Sequence, residues 1–274
     1  MKRNNENRTK SRRQQQQSVD PASLLDFVTP TEFVELPSKG IGYPSGHPLH
    51  NQETVEIRFM TAKDEDILTS RSLLKKGVAL DRLIDSVLVD KTLKSKDIIV
   101  GDRNAIIIAA RASAYGYLYE TNVECPSCGN KQKHKFDLSQ AVIHEPQLSD
   151  NIEELENGNY LIETPYSKMK VEMRLLTGRD EAVMFKLLNK GKDDEAMLTS
   201  QMKLYVVSVN EYKQPEVINH FVRNVPAAEA RFIRKIYKNV SPTIEITGNF
   251  ECNSCEFEQE LEVPFNTDFF WPDR

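Results

Sequence analysis

The spacing of hydrophobic residues in the first half of the chain changes from every second position to every third or fourth. In "ETVEIRFM", Val55, Ile57 and Phe59 alternate with polar residues, which predicts a half-buried strand. Further along, hydrophobic residues recur at helical steps and predict one buried helix face, made of Leu80, Leu83, Ile84, Val87 and Leu88. The pattern therefore predicts a strand followed by a helical block over residues 61–116.

Residues that favour helix ends flank the predicted helices of this block. Thr61 can cap the first helix, which carries acidic residues in its first turn. Asp102 can cap the next helix, "RNAIIIAARASAY", and Gly116 can end it. Because residues 106–110 are apolar on almost every side, we expect this helix to lie at the centre of the packing. Arg103 is then either an exposed residue of a capped helix or one presented to a partner.

The second half of the chain also mixes the two periods. "NYLIE" and "KMKVEMRLL" alternate around the turn signal "TPYSK", which predicts a hairpin. Thr177 begins a predicted helix that "KGKDD" breaks, and another apolar helix is predicted over residues 195–209. Pro226 suits the first turn of a last helix, whose buried face is predicted to carry Ile233, Ile236 and Tyr237. "PTIEITGNF" then returns to strand character.

One short pattern occurs twice, as "VECPSCGNKQ" and "FECNSCEFEQ". Each copy reads as a strand, a C-x-x-C turn and a second strand, and such a turn directs two thiolates toward one point. A tetrahedral ion needs two such turns, so each copy supplies half of one zinc ribbon. The predicted metal ligands are Cys125, Cys128, Cys252 and Cys255. Four thiolates leave no open position for water, so the predicted zinc ion, one per chain, is structural.

Two other interpretations of the cysteines stay open at this point. The pairs could be local redox pairs or disulfides, which are rare in a reducing compartment. Iron in a rubredoxin-like site also takes tetrahedral sulfur ligands.

Charged stripes follow the two turns: Lys131, Lys133 and Lys135 in the first copy align with Glu258, Glu260 and Glu262 in the second. We expect these stripes to pair if the strands lie side by side.

The predicted fold class is α+β, with a helical block, a four-cysteine zinc ribbon built from two distant C-x-x-C hairpins, and an α+β insertion between them. The predicted segments are a disordered basic arm at 1–20, an irregular segment and strand at 21–60, the helical block at 61–116, ribbon halves at 117–138 and 245–271, and the insertion at 139–244.

Charge and composition limit the functional classes. The 274 residues carry 36 Lys and Arg against 41 Asp and Glu, yet the first 17 residues hold six basic residues and one acidic residue. This arm is either a solvated tail or a contact with nucleic acid or an acidic protein face. No apolar run reaches the length of a membrane span, and no secretory signal is recognisable. We therefore expect a cytosolic protein with no membrane partner.

No catalytic constellation is recognisable in the sequence. The five histidines are scattered, and "HPLH" (His47 and His50) lies in a Pro-rich stretch that favours a plain surface loop. There is no Gly-rich phosphate loop and no G-x-S-x-G elbow. The chain is therefore predicted to be a non-enzyme without a small-molecule substrate.

Several long stretches carry a family resemblance: "FVELPSKGIGYPSGHPLH", "MTAKDEDILTSRSLLKKGVALDRLIDSVLVD", "GDRNAIIIAARASAYGYLYETNVECPSCG" and the closing "FFWP". They resemble the T-even-like baseplate hub and hub-assembly proteins of contractile-tailed bacteriophages, best over about residues 28–138. The resemblance implies a late viral protein without enzymatic chemistry that helps to build the baseplate hub. It implies other baseplate and tail hub proteins as partners. It also implies a location in the host cytoplasm during assembly or in the virion tail.

Aromatic residues in Pro-rich context are the predicted partner contacts: Tyr43, Phe269, Phe270 and Trp271. Such residues often anchor interfaces, and the alternative is that they cover the chain's own core. The rival function is a nucleic-acid-binding zinc-ribbon viral regulator, supported by the basic arm and the lysine stripe. A zinc hydrolase is least favoured, because it would need an open metal position.

Overall fold

The first helical block follows a strand, as the spacing predicted, but that strand pairs with an earlier one in the segment that was expected to be irregular. The structure, a computed structural model, describes residues 29–149, 151–189, 197–263 and 267–270. Its first elements are β1 (Thr31–Glu35), β2 (Thr54–Arg58), α1 (Ala62–Thr69), α2 (Arg71–Lys75), α3 (Ala79–Val87) and α4 (Val100–Tyr115). β1 and β2 are antiparallel. The predicted basic arm, the "KGKDD" break and Trp271 lie outside the described residues.

The first C-x-x-C hairpin and a four-stranded antiparallel sheet follow. The next strands are β3 (Leu118–Glu124), β4 (Lys131–Asp137), β5 (Val142–His144), β6 (Ile152–Glu154), β7 (Tyr160–Glu163), β8 (Lys170–Met173) and β9 (Val206–Val209). The sheet has the order β6-β7-β8-β9. Two helices connect β8 to β9, namely α5 (Gly178–Asn189) and α6 (Met197–Tyr205). The sequence placed residues 206–209 in a helix; this was wrong, because they pair with β8 and continue its sheet.

The last part of the chain returns to the first hairpin. Its elements are α7 (Pro215–Asn224), α8 (Ala227–Val240), β10 (Thr243–Glu245), β11 (Thr247–Glu251), β12 (Glu258–Glu262) and a 3-10 turn at Thr267–Phe270. β10 pairs with β5, and β11 pairs with β12. The described residues from Thr31 onward form one compact unit with α+β architecture, which confirms the predicted fold class.

Helix α4 crosses the centre of the core, as predicted. Ile106 and Ala110 are buried, and the predicted face of α3 is fully buried at Leu83. The helix begins at Val100, so Asp102 lies inside its first turn and is not its cap. Asp102 is buried and accepts hydrogen bonds from the Ser38 hydroxyl at 2.7 Å and from the Ser38 amide at 2.9 Å. Burial raises the pKa of Asp102 although these donors favour the charged form.

Arg103 is neither exposed nor free to meet a partner. Only 4% of the residue is exposed, and its guanidinium donates to Asp81 and to the Ser95 carbonyl, each at 2.8 Å. Its Nε also lies 2.9 Å from a carboxylate oxygen of Glu181 on α5. Arg103 therefore joins α4 to α3, to α5 and to the segment at Ser95.

A second internal repeat, which the sequence analysis missed, lies at two connections between a strand and the helix that follows it. After β2, the guanidinium of Arg58 donates two hydrogen bonds, of 2.7 and 3.0 Å, to the Asp64 carboxylate. The Thr61 amide donates to the same carboxylate at 2.8 Å. "RFMTAKDE" around these residues matches "RLLTGRDE" after β8.

The second copy repeats the geometry of the first. Arg174 grips Asp180 with hydrogen bonds of 2.8 and 2.6 Å, and the Thr177 amide donates at 2.8 Å. Burial alone would raise the pKa of Asp180, but the bonds from Arg174 and Thr177 lower it below its ordinary value. The order of strand pair, Arg-Thr-Asp junction, helices and C-x-x-C hairpin therefore occurs twice along the chain.

We predict that Asp64→Asn lowers the free energy of unfolding at pH 7 by about 1–3 kcal/mol, because it leaves the Arg58 guanidinium without its carboxylate. Burial raises the Asp64 pKa, but the bonds from Arg58, Ser86 and Thr61 lower it on balance. The pKa of Asp64 is lower in the folded than in the unfolded state, so its ionised carboxylate stabilises the fold. This stabilisation is fully present above about pH 4, the ordinary pKa of an aspartate, and is lost as the pH falls below it.

Urea unfolding at pH 7 and pH 3 measures this effect. The difference in the free energy of unfolding between wild type and Asp64→Asn should be smaller at pH 3 than at pH 7. Asp66→Asn is the matched control, because Asp66 is an exposed residue of the same helix. An equal loss of stability in Asp64→Asn and Asp66→Asn would contradict the role given to Asp64. So would a stability difference between wild type and Asp64→Asn that does not depend on pH.

Candidate metal centre

The two C-x-x-C turns have the same backbone geometry. In the first, the Cys125 amide donates to the Asn130 carbonyl at 2.8 Å, and the Gly129 amide donates to the Cys125 carbonyl at 2.9 Å. In the second, the Cys252 amide donates to Phe257 and the Glu256 amide donates to Cys252, each at 2.9 Å. These paired bonds fold each turn so that both of its sulfur atoms point to one side.

Each turn also needs one residue in the left-handed region. Gly129 has a φ of +72° in the first turn, and Glu256 has a φ of +55° at the equivalent place in the second. A side chain in this conformation costs about 1–2 kcal/mol, whereas glycine adopts it freely. The second turn is thus the more strained of the two.

The four sulfur atoms converge on one point. The Sγ atoms of Cys125 and Cys255 are 3.8 Å apart, and those of Cys128 and Cys252 are 3.6 Å apart. All four lie within 4.8 Å of one another. A tetrahedral ion with metal–sulfur bonds of about 2.3 Å needs sulfur atoms about 3.8 Å apart. The donor set therefore fits one tetrahedral metal ion.

The sulfur–sulfur distances of 3.8 and 3.6 Å each join one turn to the other. A disulfide bond needs about 2.05 Å between sulfur atoms, and none of the four cysteines forms one. Two local disulfides or redox pairs would bring Cys125 close to Cys128 and Cys252 close to Cys255. The arrangement instead favours a single shared site.

The four thiols do not share one electrostatic environment. The Ser254 amide, 3.4 Å from the Cys252 sulfur, lowers the pKa of that thiol to about 6. The Asn130 amide also lowers the pKa of Cys128, but the neighbouring thiols, first of all Cys255, raise it to about 12. Four thiolates in such close contact repel one another, and a divalent cation would remove that repulsion.

A small apolar cluster covers one side of the site. Cys125 and Cys252 are buried with Phe250, whereas Cys128 and Cys255 are exposed. The Gln132 side chain joins the hairpins, donating to the Glu251 carbonyl at 2.7 Å and accepting from the Asn253 amide at 2.9 Å. The sequence offered one signal for Gln132, namely that the same residue type recurs in both copies.

The lysine and glutamate stripes do not pair, because the strands that carry them do not lie side by side. Lys131 lies 3.5 Å from Glu124, and Lys133 and Lys135 lie 2.9 and 3.5 Å from Glu120. Lys131 and Lys135 are the direct cross-strand partners of these glutamates on β3, so their own hairpin supplies the nearest carboxylates. Strand β4 also packs against β11 and not along β12, which keeps the second stripe apart.

The histidines of "HPLH" do not converge on a ligand. His47 stacks on Tyr43 with ring centroids 4.6 Å apart, and His50 Nδ1 lies 2.7 Å from the Tyr43 carbonyl oxygen. Among the described residues, the four cysteines are the one group of Cys, His and acidic side chains that could hold a metal ion.

The predicted partner-contact aromatics are buried where the structure describes them. Tyr43 is 3% exposed, and its hydroxyl donates to Asp102 at 2.7 Å. Phe269 and Phe270 are 0% and 2% exposed, and Phe269 packs against Tyr119 with ring centroids 5.0 Å apart. Their burial favours the alternative that the sequence left open, in which these side chains cover the chain's own core.

The fold and the site together define an α+β protein in which two distant hairpins share one four-cysteine centre. The model of the T4 bacteriophage base plate protein family matches residues 31–271, so the chain belongs to that family. No curated protein and no solved structure matched the chain. Membership makes it a structural protein of the phage baseplate, in the virion tail. In the part of the chain that the structure describes, no helix has the length and apolar character to span a membrane.

We predict opposite effects of exchanging the left-handed residues of the two turns. Glu256→Gly should raise the free energy of unfolding by about 0.5–1 kcal/mol, because it relieves backbone strain. Gly129→Ala should lower it by about 1 kcal/mol through backbone strain alone, since a Cβ there meets no atom closer than 3.9 Å.

Urea unfolding of metal-loaded protein measures both changes. Gly46→Ala is the control for a glycine exchange at positive φ away from the site, since it removes the same freedom without touching the turns. If Gly129→Ala and Glu256→Gly shift stability in the same direction, the shared geometry of the two turns is refuted.

Proposed function

We propose that this chain is a non-enzymatic structural or assembly protein of the bacteriophage baseplate hub, acting as a zinc-stapled scaffold that binds other proteins. The observation that carries the proposal is the convergence of four cysteines from hairpins more than a hundred residues apart in sequence. Membership of the family supports a role in the baseplate. The long stretches that resemble hub and hub-assembly proteins support a place in the hub.

Zinc is the metal that this donor set favours. Cys125, Cys128, Cys252 and Cys255 would hold the ion, and four thiolates without a nitrogen or oxygen ligand suit zinc or iron. Zinc is redox-inert and keeps such a site closed to water, which suits a scaffold. Because the ligands come from the middle and the end of the compact unit, the free energy of metal binding would stabilise the long stretch of chain between them.

The nucleic-acid alternative receives no support from the lysine stripe. Lys131, Lys133 and Lys135 are each within ion-pair distance of Glu120 or Glu124. The neighbouring hairpin carries further exposed glutamates, including Glu258 and Glu260. A phosphate backbone would have to compete with these carboxylates, so we propose no second function.

We predict one zinc ion per chain, and its loss when Cys252 and Cys255 are both replaced by Ser. Elemental analysis with a thiol count measures this, and the variant should also melt at a lower temperature because its halves are no longer joined. Ser254→Ala is the control, since the backbone amide of Ser254 contacts the metal ligand and its side chain does not. Metal-free protein with two disulfides would contradict the ribbon, and iron in place of zinc would contradict the choice of metal.

Hub assembly is tested by affinity purification of the tagged chain from infected cells. The wild type should co-purify with baseplate hub proteins, and the variant with both cysteines replaced should not, because the scaffold is not closed. Recovery of nucleic acid in place of tail proteins, with binding that weakens steeply as salt rises, would contradict the proposal and favour the regulator.

A further inference from the structure

A groove of about 450 Å³ runs along β1 and lies outside the metal centre. Its floor is one face of α4, where the small side chains of Ala105, Ala109 and Ala112 lie beside Ile108. Its walls include Val34 of β1 and the cross-strand neighbours Ile143 and Ile244 of the β5–β10 pair. Small side chains on the floor leave room for another backbone to approach the helix.

One wall of the groove is an unpaired strand edge. β1 belongs to a two-stranded sheet and pairs with β2 on one side only. No residue of β2 lines the groove, so the groove lies along the other edge of β1. Among the described residues, no backbone hydrogen bond reaches that edge. Its free N–H and C=O groups are a template for adding a strand.

The groove also contains a carboxylate oxygen without a partner. Glu32 lines the groove, and its Oε1 atom is buried with no hydrogen bond among the described residues. At one end, Lys39 bonds to Glu35 and lies 3.6 Å from Glu145, so the nearby lysine is already engaged. A buried, unpaired oxygen is costly, and a cationic donor from an occupant would satisfy it.

We infer that this groove binds an extended segment of a partner protein, which adds to β1 as a strand and directs a Lys or Arg side chain to Glu32. Alternate apolar side chains of the segment pack on the alanine floor between Val34 and Ile143. The inference rests on the proposed protein-binding function and deepens it, since it assigns the surface and the chemistry of the partner. It also places partner contact away from the buried aromatics Tyr43, Phe269 and Phe270.

The test uses full-length, zinc-loaded protein and a fluorescein-labelled hexapeptide, "TVTKTV", followed by fluorescence anisotropy. Its valines and its lysine lie on one face of a strand, as Val34 and Glu32 do on β1. Two matched peptides accompany it: "TVTETV", which reverses the charge, and "TVTKTV" with N-methylated backbone amides, which blocks strand pairing. The wild type should bind the first at least tenfold more tightly than either of the others. Equal binding of all three peptides would overturn the inference.

Two variants place the binding site. Glu32→Lys should reverse the preference in favour of "TVTETV", because it reverses the charge at the groove. Ala109→Phe should abolish binding by filling the groove, whereas Ala228→Phe, at an exposed position on α8, should leave it unchanged. If Ala109→Phe loses its zinc or its fold, the charge reversal at Glu32 decides. Unchanged peptide preference in Glu32→Lys would overturn the inference.

Purification from infected cells separates this inference from the proposed function. We expect wild type and Ala228→Phe to recover hub proteins, and Ala109→Phe and Glu32→Lys not to recover them. That result would support both the proposed function and the groove as the partner surface. Groove variants that still recover hub proteins would overturn the groove as the partner surface and leave the proposed function standing. A wild type that recovers no hub protein, but shows the peptide preference and its reversal, would overturn the function and leave the strand-binding groove.

Discussion

The meeting of four thiols from two distant hairpins is the constraint on which the rest of this structure depends. Each hairpin is local and folds around its own backbone hydrogen bonds, but neither supplies more than two ligands. Gln132 and the buried Phe250 join the hairpins next to the ligands. The 3-10 turn that follows the second hairpin then packs on the first, where Arg111 of α4 donates to the Phe269 carbonyl at 3.2 Å. The four-cysteine centre is thereby tied to the central helix.

Each of the two repeated hairpins is preceded along the chain by one copy of the Arg-Thr-Asp junction. In both halves, an arginine stands at or just after the end of a strand and a threonine precedes the next helix. An aspartate three residues after the threonine accepts hydrogen bonds from both. A C-x-x-C hairpin follows further along each half. The chain can therefore be described as two copies of one unit, each contributing half of a tetrahedral site that it cannot complete alone. Gly129 and Glu256 show that the copies have diverged in sequence while keeping the same turn.

Features that depend on local spacing could be predicted from the sequence. The buried face of α3, the end of α4 at Gly116 and the grouping of four cysteines follow from periodicity, a positive φ and ligand spacing. Features that depend on distant neighbours could not. Asp102 reads as a helix cap, but Ser38 and Tyr43 from a remote loop hold it inside the helix. Val206–Val209 is apolar enough for a helix, and only the free edge of β8 makes it a strand. Phe269 suited an interface anchor as well as a core residue, because nothing in the sequence shows that Tyr119 packs against it.

X-ray absorption spectroscopy at the zinc edge of the purified full-length chain tests the central claim most directly. The account predicts a single shell of four sulfur atoms at about 2.3 Å, with no nitrogen or oxygen ligand. A shell that contains nitrogen or oxygen, or fewer than four sulfur atoms, would contradict a closed four-cysteine centre that joins the two halves of the chain.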